Sequence, residues 1–279
     1  MKLVANRYGK ARIRVMKILR DGTTHTLQEI EVAALLEGDF AGSYTSGDNS
    51  QVVPTDTIKN TVNVLAKEQL GQELEPFGLA LGEHFLKQYP QVKSASAEIS
   101  ARAWQRMEVD DKPHPHSFVA GGEARKWTRV LCTRDAQEIE SGVRNLVILK
   151  STGSGWAGYP KCAYTTLPET DDRILTTSFD ATWRWSSAPA DYTRSNESIL
   201  AAMLSVFANN YSTAAQASVY QMGEAALRTA PEISRIELAM PNKHCLLINL
   251  APFGLKNENE IFVPTDEPQG QIEATVTRE

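Results

Sequence analysis

An α+β fold of antiparallel sheets carrying helices on one face is the class that this sequence predicts, on three observations. Apolar residues alternate with polar ones at period two in several stretches, as in half-buried strands. Between these stretches the period lengthens to that of an amphipathic helix. The order strand, strand, helix, helix, strand, strand then occurs a second time.

The first strand spans 11–19, with Ile13, Val15 and Leu19 on one face and Arg12, Arg14 and Met16 on the other. Asp21-Gly22 supplies a turn, and 27–36 returns as the second strand of a hairpin. A loop rich in Gly, Ser and Asp follows. From Thr57 onward Ile58, Val62 and Leu65 share a helical stripe, while Lys59, Asn63 and Lys67 point elsewhere. Glu75-Pro76 opens a second helix that carries Leu81, Phe85 and Leu86 and ends before Tyr89-Pro90, because the residue preceding a proline resists the helical region. Ala95, Ala97, Ile99, Ala101 and Ala103 then alternate with Ser96, Glu98, Ser100 and Arg102, and after a loop containing His114 and His116 the strand 124–133 closes the first half.

The second half repeats this grammar. Strands are expected at 143–150 and 174–185, the latter with Phe179, Ala181, Trp183 and Trp185 on one face. Ile199, Met203 and Phe207 mark one helix, and Val219, Met222 and Ala226 the next, which breaks at Pro231. Ile236, Leu238 and Met240 form a further strand pattern, and Ile272, Ala274 and Val276 the last. The units are therefore expected at 1–136 and 137–279.

Hairpins make such sheets antiparallel, and the helices cover one face only, so the other face needs a cover. Oligomerisation, with sheets joined edge to edge around a central opening, supplies one and removes exposed edges. Light scattering should accordingly find an oligomer; a well-behaved monomer would contradict the expectation.

At 279 residues the chain has room for one large domain or two ordinary ones. Hydrophobic residues make up 42% and charged residues 23%, a globular composition rather than that of a disordered or fibrous chain. A net charge of -5, with no long basic run, disfavours a general nucleic-acid binder. Cys132, Cys162 and Cys245 are odd in number and far apart, suggesting neither a disulfide framework nor a zinc ribbon. No window approaches the roughly 18 apolar residues of a membrane span. With no signal-peptide pattern at 1–14 and no Ser-Lys-Leu address at the end, a cytoplasmic location is expected.

Zinc-protease, phosphate-loop and dinucleotide motifs are all missing, which removes the commonest sequence-visible cofactors. Taken singly, the chemically suggestive residues have plain readings. Lys10 reads as a solvated strand-end charge. Thr55-Asp56 reads as a helix cap. His114 and His116 suit a loop-fixing role as well as metal ligation.

The combination is more informative. Tyr8-Gly9-Lys10-Ala11-Arg12, Gly47-Asp48-Asn49-Ser50 and Thr55-Asp56-Thr57-Ile58-Lys59-Asn60-Thr61 resemble the N-terminal half of the uricase family in order and spacing. His114-Pro115-His116-Ser117-Phe118, Leu149-Lys150-Ser151-Thr152, Tyr164-Thr165-Thr166-Leu167-Pro168-Glu169-Thr170 and Asp172-Arg173-Ile174-Leu175 resemble its middle. Tyr220-Gln221-Met222-Gly223-Glu224-Ala225, Met240-Pro241-Asn242-Lys243-His244 and Pro264-Thr265-Asp266-Glu267-Pro268 resemble its end. Essentially the whole chain is covered.

The resemblance implies the tunnelling fold, with two tandem ββααββ units per subunit and four subunits forming a barrel with active sites at their interfaces. It implies oxidation of urate by dioxygen and water to 5-hydroxyisourate and hydrogen peroxide, with no cofactor. Residue by residue, Lys10, Thr55 and His244 match the family's catalytic lysine, threonine and histidine. Arg173 and Gln216 match its binding arginine and glutamine, and Asn242 the asparagine that polarises oxygen or water above the ring. Asp56 is expected to orient the neighbouring backbone and purine contact. Trp156 stands at the stacking position where the family usually carries Phe, Ala215 where valine is usual, and Cys245 where Tyr is common. The types suit the chemistry: a planar guanidinium donates two parallel bonds to an anionic edge, and a lysine, a hydroxyl and an imidazole can pass a proton along.

Two other readings belong to different classes. Zinc-dependent hydrolases and pterin enzymes share the tunnelling fold, but they need converging Cys and His ligands, and these cysteines lack paired spacing. A non-catalytic purine-binding oligomer would fit a chain without the lysine or the threonine, and this chain has both.

Overall fold

The structure, a computed structural model, describes residues 1–278. It divides into two compact units, Met1–Val143 with Ala188–Thr193, and Arg144–Ser187 with the chain from Arg194 onward.

In the first unit, β1 (Tyr8–Asp21) and β2 (Thr24–Gly38) form the expected hairpin, turned at Gly22, whose φ of 56° lies in the left-handed region open to glycine. A short helix α1 (Ala41–Thr45) interrupts the segment expected as loop; it buries no residue, so no periodicity announces it. Then come α2 (Thr55–Gln69), α3 (Glu75–Gln88), β3 (Val92–Val109), β4 (Lys112–Thr133) and the start of β5 (Gln137–Lys150). The strands lie in the order β1-β2-β3-β4-β5, and β1 to β4 pair antiparallel.

Ile30, Val32, Ala34 and Leu36 of β2 and Ala95, Ala97 and Ile99 of β3 turn inward against Ile58 and Val62 of α2 and Phe77, Leu81 and Phe85 of α3. The alternation read from the sequence is therefore a one-sided core. Burying each of the large α3 side chains contributes roughly 1.5–3 kcal/mol.

Close approach of α3 to β4 depends on two glycines one turn apart. A Cβ on Gly78 would stand 2.6 Å from Val130 Cγ2, and one on Gly82 2.4 Å from Cys132 Sγ. Burial pushes the Cys132 thiol up to about 11, so that side chain packs as an apolar group. Gly82→Ala is expected to lower stability by about 1–3 kcal/mol through overpacking. Chemical denaturation checks this, and an unshifted midpoint would mean that the helix retreats freely.

His114 and His116 do not sit in a loop, as the sequence suggested, but on β4. The hairpin turns instead at Asp110 and Asp111, both at left-handed φ (53° and 58°). Beyond it the Arg106 guanidinium donates to the carbonyls of His25, His114 and Pro115 at 2.6, 2.8 and 2.6 Å, which holds the proline-rich stretch extended.

In the second unit, β6 (Leu175–Trp185), most of α4 (Tyr192–Asn209), α5 (Ala215–Thr229), β7 (Ile233–Ala239), β8 (Asn242–Leu247), β9 (Phe262–Gly270) and β10 (Glu273–Thr277) follow the end of β5. The order is β5-β6-β7-β10, with β8 paired to β6 and to β9. Phe179, Ala181, Trp183 and Trp185 are buried with Ile199, Met203, Val219, Met222, Ile236 and Leu238, as the stripes predicted. The β8-β9 hairpin was not expected. Its Pro264 and Pro268 argue against a strand, yet β9 pairs on one side only, through β8, where proline is tolerated.

Candidate functional site

In the first unit, Lys10 stands at an irregularity of β1. The register with β2 shifts between Lys10 and Ile13, and Arg12 takes a left-handed φ of 57°. The preceding residue must be glycine, since a Cβ on Gly9 would stand 2.0 Å from the Ala34 carbonyl oxygen. One residue earlier the Tyr8 ring lies edge-on to Phe40, with centroids 4.8 Å apart, and its Oη accepts the Val53 N–H at 2.7 Å. Burial raises the Tyr8 phenol, so it remains a neutral acceptor, and the bond clasps the head of β1 to the segment entering α2.

That segment delivers Thr55. Pro54 holds the helix-cap position and Thr55 is the first helical residue, so the plain reading of Thr55 as the cap is corrected. Thr55 is exposed, with no core role. Asp56 accepts from Lys59 and, at 2.9 Å, from Asn60 Nδ2. The Lys59 bond and charge hold its carboxyl below the usual range, and the field of Lys10 adds to this, which brings the Lys10 ammonium within electrostatic reach. Lys10, Thr55 and Asp56 are all exposed, and the Tyr8–Val53 bond ties the strand end that carries the first to the helix start that carries the other two.

In the second unit a loop between β5 and β6 is fixed by backbone bonds. Trp156 and Thr170 exchange N–H···O bonds of 2.7 and 3.0 Å, and the Arg173 N–H donates to the Ser154 carbonyl at 2.8 Å. Gly155 donates to the Ser212 carbonyl, and Ser212 to that of Gly153, at 2.8 and 2.9 Å. Asp172 accepts from the Thr152 hydroxyl at 2.8 Å and the Gly153 N–H at 3.1 Å. A Cβ at Gly155 would stand 2.3 Å from Tyr211 Oη and 3.1 Å from the Thr170 carbonyl oxygen, so any larger residue would have to displace the tyrosine that donates to the Asp171 carbonyl.

These constraints place Trp156 and Arg173 on one cavity of about 630 Å³, which β8 and β9 also line with Asn242, His244, Leu246 and Phe262. Its size is that of a small-ligand site. Asn242 is buried, while His244 is exposed, its carbonyl accepting the Thr265 hydroxyl at 3.0 Å. The Arg173 guanidinium carbon lies 5.8 Å from the Trp156 ring centroid. Its buried Nε has no hydrogen-bond partner among the described residues, and burial pulls its pKa below the ordinary arginine value. A half-desolvated cation with an unspent donor gains from an anion more than a solvated one would.

Ala215 and Gln216 open α5 outside this lining, the first buried and the second exposed. They join the same loop system through Ser212, just upstream. The sequence reading missed the apolar walls, Leu167, Pro168, Ile174, Leu246 and Phe262. Only the fold reveals them, since an isolated Leu or Phe in a loop carries no chemical signal.

The uricase family profile matches residues 6–131 and 139–273. A uricase of Arthrobacter globiformis is 39% identical over 98% of this chain and 89% of its own length. Those of Emericella nidulans and Aspergillus flavus are 40% and 39% identical, over 99% and 98% of this chain and 97% and 96% of theirs. The crystal structure of the Arthrobacter globiformis uricase superposes with a TM-score of 0.95, covering 100% of this chain and 96% of that one. A hyperthermostable mutant of Bacillus sp. TB-90 urate oxidase, at 21% identity and a TM-score of 0.85 over 98% of this chain and 99% of that one, shares the fold. A match this long, at this identity and over both units, places the chain in the uricase family.

Proposed function

We propose that the chain converts urate, dioxygen and water to 5-hydroxyisourate and hydrogen peroxide without a cofactor. The sites would lie at interfaces of a homotetramer built from tandem tunnelling-fold units, 1–136 and 137–279. The observation that carries this reading is the cavity of about 630 Å³ on which an aromatic ring, a half-buried guanidinium, an amide and an imidazole converge.

In this reading the purine stacks on Trp156, and Arg173 donates to its anionic edge. Gln216, with Ala215 packed beside it, serves the opposite edge. Lys10, through the Thr55 hydroxyl, removes a further proton from urate, Asp56 orients the neighbouring contact, and His244 passes the proton onward. The resulting dianion is electron-rich enough to reduce dioxygen, held near Asn242, to peroxide. Water then adds to the dehydrogenated purine. Atoms balance: one oxygen of water enters the product, and the two electrons and two protons removed leave as hydrogen peroxide.

Exposure of Lys10, Thr55 and His244 supports an interfacial site, because a relay needs desolvated groups and only a neighbouring protomer would cover these. Exposed apolar residues on β8 and β9, Leu246 at 57% and Val263 at 47%, also suit a covered surface.

Complementation tests the arrangement. Lys10→Met and Arg173→Ala protomers, each nearly inactive at low urate, regain activity when co-assembled in equal amounts, because about a quarter of all sites in the randomly mixed assemblies combine an intact Lys10 with an intact Arg173. No recovery in verified hybrids would mean that both residues serve a site within one protomer.

A further inference from the structure

Tyr159 does not line the cavity, yet it is built against the ring that does. Gly158, at a left-handed φ of 74°, turns the chain back after Trp156, and the Tyr159 ring lies parallel to the indole, with centroids 5.5 Å apart and planes 15° from each other. The Tyr159 hydroxyl donates to the Leu167 carbonyl at 2.5 Å, and Leu167 is itself a cavity wall. Glu169 closes the turn by accepting the Gly158 N–H at 3.3 Å and pairing with Lys161 at 3.1 Å.

An indole has two faces, and a second aromatic ring occupies one of them here. We propose that Tyr159 is a positioning residue for substrate: it backs the Trp156 platform, fixes the indole plane, and leaves one face for a flat heterocyclic anion. This rests on Trp156 being the stacking platform of the proposed function. A lone tryptophan on a loop would rotate about its side-chain bonds, and binding would have to freeze that motion. Stacked on Tyr159, whose hydroxyl is tied to the cavity wall at Leu167, it is ordered before ligand arrives. The effect belongs to binding and not to proton transfer, since Tyr159 lies behind the platform and outside the cavity lining.

The test measures urate binding to the assembled protein under anaerobic conditions by equilibrium dialysis, alongside kcat at saturating urate in air. Tyr159→Ala is expected to weaken binding about five-fold, the worth of an aromatic pair, with kcat within two-fold of the parent. Tyr159→Phe, which keeps the ring and loses only the bond to Leu167, restores most of the affinity. Trp156→Ala is the control and should weaken binding by more than ten-fold. If Trp156→Ala weakens binding and Tyr159→Ala does not, the backing role fails while the platform stands. If Trp156→Ala leaves affinity unchanged, the platform itself is refuted and the Tyr159 proposal with it. A Tyr159→Ala variant whose melting temperature or kcat falls while affinity holds would mark the residue as structural only.

Discussion

Lys10→Met is expected to cut turnover by about two to four orders of magnitude, the usual contribution of a positioned acid-base group. Methionine keeps the length and volume of the lysine stem and removes only its proton chemistry. Lys10 is exposed, so no core cavity opens, and light scattering and thermal melting should match the parent. Thr55→Ala should behave alike, because Thr55 is exposed and lies at the first helical position, with the cap at Pro54. Steady-state kinetics at saturating urate checks both. Near-normal turnover in the pair would refute the relay while leaving the binding pocket untouched.

Arg173→Ala should act differently, weakening urate binding by more than about 100-fold while changing kcat much less. A hydrogen bond to a charged group is worth roughly 1.5–3 kcal/mol, so two parallel ones account for about 3 kcal/mol or more. In the proposed function that contact is made in the ground state, so its loss falls on affinity more than on the chemical step. The unbonded Nε and the pKa lowered by burial describe a guanidinium held in readiness for an anion. Lysine would not substitute, having neither the planar fork nor the same reach. Anaerobic urate binding is the measurement, and an unchanged dissociation constant would move the anchor elsewhere.

Those two variants separate what the chain states openly from what only folding reveals. Period-two and helical patterns located β1, β2, α2, α3, β3, β6, α4, α5, β7 and β10, because one buried face imposes its spacing directly on the sequence. Patterns failed where burial did not set them. The helix α1 buries nothing, β9 carries two prolines at an edge, and the distal end of β4 is held by Arg106 bonding to carbonyls, which no side-chain pattern encodes.

The site shows the same division. Lys10, Thr55, Trp156, Arg173, Asn242 and His244 were named from motif resemblance, and the fold then supplies physical reasons for several of them. Gly9 and the irregularity after Lys10 shape the strand end, and the Tyr8 clasp ties it to the approach to Thr55. Backbone bonds at Ser154 and Thr170 bring Arg173 and Trp156 to one cavity. Gln216 lies outside that lining, so its proposed role at the purine's second edge rests on the resemblance alone. Tyr159 was invisible to sequence reading because nothing in the spacing Trp-x-x-Tyr implies that the two rings stack.

Cofactor-free oxidation is tested most directly by adding urate to protein stripped of metal and following ultraviolet absorbance, oxygen consumption and peroxide together. Loss of the urate band with one oxygen consumed and one peroxide released per urate, unchanged by chelator, is the result expected. Activity that disappears on chelation and returns with added metal would contradict it.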